Sequence, residues 1–172
     1  MIMRTILLLV MFGALALPAA TQAEEGDSSV FGIMKLANRL SLPKCANSSG
    51  GTDTTCWRAQ NRSLLPSTGS VEVVFPSSER PAIVRRLIAF LLDGNVEKVI
   101  IKTPANASGA VRDALLRKYG KGEEFTTGTQ WQFSRFSVFW FNPDAYKADQ
   151  HHDDSGDVVI ATRVGSEKWP EL

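Results

Sequence analysis

The chain has 172 residues, 44% of them hydrophobic, with 19 Lys and Arg against 18 Asp and Glu. That length makes one domain and is enough to bury a core. A balance so close to neutral argues against nucleic acid, whose phosphates select a basic excess.

Residues 1–23 have the three parts of a cleavable signal peptide. Arg4 supplies the positive start, Ile6 to Leu17 the apolar run, and Thr21-Gln22-Ala23 the small residues read at cleavage. The run is shorter than the roughly 20 apolar residues a spanning helix needs, and Cys45 lies too far downstream for a lipid anchor. The sequence therefore predicts an exported protein, periplasmic or secreted and soluble after cleavage, with no membrane span in the mature chain. Arg4 is the leader's only charge, so the mature chain balances its charges. Residues 24–30 are polar and read as a disordered leader, and residues 31–172 as a single domain.

From Phe31 to Leu42 the apolar residues roughly follow helical spacing, and Pro43 stops the element. The expectation there is a short N-terminal helix. Cys45 and Cys56 are the only cysteines. With a bendable Gly- and Ser-rich segment between them and an oxidising compartment expected, they predict one disulfide. Val71 to Phe75 is β-branched and bounded by turn residues, hence a strand. Ile83 to Leu92 fits either a helix face or a strand. Asp93-Gly94 directly before Val96, Val99, Ile100 and Ile101 favours a hairpin.

Pro104 to Tyr119 reads as a helix closed by Gly120. Gln130 to Phe141 reads as one strand with broken alternation, repaired by a bulge near Ser134-Arg135 that would bring Trp131 and Phe133 to the same side as Phe136, Val138 and Trp140. Val158 to Thr162 is a last strand. The predicted fold class is α+β: a small single domain with an antiparallel sheet, one main helix packed on it, a short N-terminal helix and one disulfide.

Four short motifs stand out as a set: Phe31-Gly32-Ile33, Leu42-Pro43-Lys44-Cys45, Leu92-Asp93-Gly94-Asn95-Val96 and Leu115-Leu116-Arg117-Lys118-Tyr119-Gly120. Together they resemble a loosely defined group of small exported proteins of Gram-negative bacteria without an assigned activity. The resemblance spans residues 31 to about 163. It implies that the Asp-Gly lies in a hairpin and that Lys-Tyr-Gly ends a helix, and it implies no catalytic residue.

Gly26-Asp27-Ser28 with Asp149 and His152 resembles the two ends of the GDSL esterase pattern, which would make Ser28 the nucleophile, His152 its base and Asp149 the orienting acid. Ser28 follows no strand that would hold its hydroxyl, and blocks for an oxyanion hole are missing. His151 to Asp157 holds metal-ligand types but also the composition of a polar turn. No enzyme activity, metal or cofactor is expected, with a small hydrolase or a metal-binding protein built on Asp149–His152 as the alternative. The basic residues, Lys98 among them, read as solvated faces. Phe139 and Phe141 fall out of phase with Val138 and Trp140, and so are the candidate interaction surface for a protein partner of unknown identity. The function expected is that of an exported, non-catalytic binding domain.

Overall fold

The computed structural model describes residues 26–46, 52–60, 68–143 and 155–168. Their architecture is an antiparallel β-sheet carrying little helix, which corrects the α+β expectation. A two-stranded ribbon pairs β1 (Ser29–Val30) with β2 (Met34–Lys35). The main sheet has eight strands: β3 (Cys56–Ala59), β4 (Gly69–Val74), β5 (Arg86–Leu92), β6 (Asn95–Pro104), β7 (Glu123–Phe125), β8 (Gly128–Gln132), β9 (Phe136–Phe141) and β10 (Ser155–Thr162). Their spatial order is β3-β4-β5-β6-β10-β9-β8-β7. One meander runs inward from β3 to β6. The chain then crosses the sheet through helix α1 (Ser108–Tyr119) to the far edge, and a second meander returns from β7 to β10. The two meanders join where β10 lies against β6, with Val158 opposite Ile101 and Ile160 opposite Val99.

Alternation assigns the two faces. Val71, Leu87, Ala89, Val99, Ile101, Val138, Trp140, Val158 and Ile160 point to the inner face, where they form the main core beneath α1 and the β1–β2 ribbon. The outer face carries a smaller cluster of Ile88, Phe90 and Ile100, with Val159 against it.

The hairpin preferred for Ile83 to Leu92 is present, its strand beginning at Arg86. Asp93 (φ 51°) and Gly94 (φ 82°) both take the left-handed conformation that a tight turn matched to strand twist requires. The cystine joins Cys45 to Cys56 with the two Cα atoms 5.1 Å apart. Helix α1 ends as read, Gly120 at φ 74° donating its N–H to Leu116 O at 2.9 Å. Only its start differs, because Pro104 belongs to β6.

The short N-terminal helix is not there. Phe31 (φ 51°), Gly32 (φ 71°) and Ala37 (φ 60°) are left-handed, which no right-handed helix tolerates. The backbone bonds of this segment go instead to the β5–β6 turn: Ala37 N–H to Val96 O, Val96 N–H to Asn38 O and Leu40 N–H to Gly94 O, at 2.8, 2.9 and 3.0 Å. Met34 and Leu36 are buried by this route, so the segment satisfies its apolar residues without a helical face.

The stretch from Gln130 to Phe141 is likewise two strands, not one. Ser134-Arg135 is the turn of a β8–β9 hairpin, closed by Phe133 N–H on Phe136 O at 2.9 Å. A turn brings Trp131, Phe136, Val138 and Trp140 to one face as well as a bulge would. Four elements without a clear apolar signature went unread: β1, β3, β7 and the short helix α2 (Arg163–Lys168). Strand β1 falls in the 24–30 stretch read as a disordered leader, and it buries Val30. Helix α2 seats Gly165 so closely that an added Cβ would lie 2.1 Å from Glu97 O. Among the described residues no helix is long and apolar enough to cross a membrane.

Candidate binding surface at the β7 end of the sheet

Phe139 and Phe141 lie on the opposite face from Val138 and Trp140, as their phase in the sequence requires, and the structure makes that the outer face, away from α1. Phe139 is paired with Val159 of β10 and Gln130 of β8, and Phe141 with Gly128. Their rings meet at 4.4 Å between centroids, and both are half-buried. Phe125 of β7, which the sequence reading did not single out, completes the group. Its ring stands 6.3 Å from Phe139 and it is 44% exposed. The signal for it was faint, one phenylalanine among Glu and Thr in a stretch without alternation.

The strand that carries Phe125 is the last in the sheet. Its three residues are all exposed, and among the described residues no strand pairs with its outer side. Alternation gives its side chains different tasks. Glu124 points to the inner face, where it accepts from Arg112 Nη2 of α1 at 2.8 Å and from the Thr129 hydroxyl at 3.0 Å. The Arg112 hydrogen bond, with the Thr129 hydroxyl second, holds the Glu124 carboxyl below the ordinary carboxylate range. Arg112 also lies 5.9 Å from the centre of the Trp140 ring, and Trp131 Nε1–H donates to Gly120 O at 2.8 Å, so α1 is clamped to this half of the sheet. Glu123 and Phe125 point to the outer face beside Gln130 and Phe139.

Gly128 makes the close strand spacing work here: a Cβ on it would lie 1.9 Å from Trp140 O. No protein-family model, curated protein or solved structure matches this chain. The surface is therefore read from its own chemistry.

The other candidates fare differently. Ser28 is half-buried ahead of β1, and its carbonyl accepts from Leu36 N at 3.3 Å. Asp149, His151 and His152 lie outside the described residues, so the triad and the His-Asp metal set receive no geometry. Among the described residues no three metal-ligating side chains cluster. Lys98 corrects the reading of the basic residues as solvated. It sits on the outer face between Phe90 and Ala161 of the neighbouring strands and is 3% exposed, and burial lowers its pKa. A lysine flanked by strands on both sides is covered whatever its charge, and composition carries no trace of that.

Proposed function

We propose that the chain is an exported, non-catalytic binding domain that takes an extended segment of a partner protein alongside β7. The observation that carries this is the exposed Phe125, in contact with Phe139, on an edge strand whose outer side no described strand occupies. An edge strand offers unpaired N–H and C=O groups to an incoming strand, and side chains on the shared face then choose among partners. On the outer face that choice falls to Glu123 and Phe125. The fitting segment has a basic residue opposite Glu123 and an apolar one opposite Phe125, two positions apart. Export is supported by the leader at residues 1–23 and by a cystine that needs an oxidising compartment. The resemblance to small exported proteins of Gram-negative bacteria agrees with it.

The test is to express the mature chain, tagged at the C-terminus, in its own cell envelope, cross-link it and identify what is captured by mass spectrometry. One dominant partner is expected, lost in Phe125→Ser and in Phe139→Ser. Phe125→Ser leaves the unfolding midpoint nearly unchanged because the ring is already exposed. Retention of the same partner by both variants, or a monomer that captures nothing, would overturn the reading.

A further inference from the structure

A second feature lies on the opposite face of the sheet from Phe125. Between the sheet, α1 and the β1–β2 turn is a partly open cavity of about 280 Å³. Ile101, Val158 and Ile160 form its floor. Val111 and Leu115 of α1 form one wall, and the Phe31-Gly32 turn lies across the top. Protein interiors close-pack, and an apolar void forfeits the contacts its walls would otherwise make. This one is nearly twice the roughly 150 Å³ apolar cavity that stays dry and admits benzene. By that ratio it has room for about ten carbons.

The mouth is polar and electrically paired. Lys118 Nζ lies 3.2 Å from Asp27 Oδ2 and donates to Ser29 O at 2.8 Å. The Tyr119 hydroxyl donates to Asp27 O at 3.3 Å, tying the same stretch of chain to α1. The Ser29 N–H on Asp27 Oδ1 at 2.9 Å, with Lys118 after it, keeps the Asp27 carboxyl below its ordinary range and so ionised at neutral pH.

A ligand whose end carries charge meets one repulsive partner in this pair, whichever sign it has. An uncharged end that both donates and accepts meets none. Its N–H or O–H can face Asp27 while its oxygen accepts from Lys118. We infer that the cavity between α1 and the sheet binds a medium-length aliphatic chain ending in a hydroxyl or primary amide, chain inward and polar end at Asp27 and Lys118. The inference is independent of the β7 edge, which shares no residue with this site.

Four eight-carbon probes test it: 1-octanol, octanamide, octanoate and octylammonium, each titrated below its aggregation limit into the mature protein and followed by amide NMR shifts. A ligand of this size should bind with a dissociation constant on the order of 0.1–1 mM. The two neutral probes should shift amides of β6, β10 and α1, with both charged probes at least about tenfold weaker. Ala114→Leu places extra carbons in the cavity and should abolish the octanol shifts. Lys118→Met removes the ammonium paired with Asp27, leaving its carboxylate with only the unbonded charge of Lys35, and should invert the order, making octylammonium the tightest of the four. No shift from any probe, equal binding by charged and neutral probes, or undiminished octanol binding in folded Ala114→Leu would each overturn the inference.

Discussion

The two ends of the sheet are built to opposite specifications. At the β3 end the chain overlays its own edge. Trp57 N–H donates to Pro43 O and Cys45 N–H to Trp57 O, both at 2.9 Å, while Lys44 bridges β3 in parallel and places its ammonium 5.9 Å from the Trp57 ring. The Cys45–Cys56 bond fastens that cover. Outward-facing side chains there form a charged ladder, with Glu72 accepting from Arg58 at 2.8 Å and from Arg86 at 3.0 Å. At the β7 end the edge is three exposed residues, and the outward ladder is Phe125, Phe139 and Phe141. Covering and charging an edge is how sheets avoid unwanted pairing. Both ends carry charge, Glu123 and Glu124 at the β7 edge included, but only the β3 edge is covered, which directs any added strand to β7.

Three perturbations break or sharpen that contrast. The largest effect should come from Cys45→Ser with Cys56→Ser. Losing a bridge across an 11-residue separation removes about 3 kcal/mol by the loop-entropy relation and frees the cover of β3. A lower denaturant midpoint is expected, together with a larger dimer fraction on size exclusion than the parent gives at the same concentration. A variant whose dimer fraction does not rise would show that the charged ladder suffices to block pairing.

Next comes Gly128→Ala, whose methyl would have to push Trp140 O aside from 1.9 Å. A cost of about 2 kcal/mol is expected, with amide-exchange protection lost in β7 and β8 before it is lost in β4 and β5.

The smallest effect belongs to Glu124→Gln, which gives up one half-exposed ion pair worth under about 1 kcal/mol after solvent screening. Its pH dependence says more. The Glu124 pKa is lower folded than unfolded, so its stabilisation is complete above the ordinary value of 4.5 and is lost as pH falls through the folded value. Exchange of the β7 amides should therefore quicken over that acid range in the parent and show no such step in Glu124→Gln.

Elements whose evidence is local were legible beforehand. Asp93-Gly94 needs only its own backbone preferences to turn, and α1 needs only helical spacing and a terminal glycine. The phase of Phe139 and Phe141 put them on the opposite strand face from Val138 and Trp140, because alternation in a strand is a local rule; which face α1 covers was not legible from it. Phe125 escaped notice because its importance lies in the ring beside it, contributed by β9. Residues 31–42 misled for the same reason. Met34 and Leu36 are buried by hydrogen bonds to Val96 and Gly94 far along the chain, and helical spacing of apolar residues is equally compatible with that.

By itself, the sequence determined the Asp93-Gly94 turn, the C-terminal end of α1, the cystine and the opposite phases of Phe139 and Phe141 against Val138 and Trp140, all set by the covalent neighbourhood of a few residues. Only the tertiary structure decided that β7 closes one end of the sheet and that the cover of β3 closes the other. It also decided that Lys98 is buried and that a cavity opens beneath α1. Each of those depends on which distant strands lie side by side, and pairing free energy is shared between partners that no local pattern names.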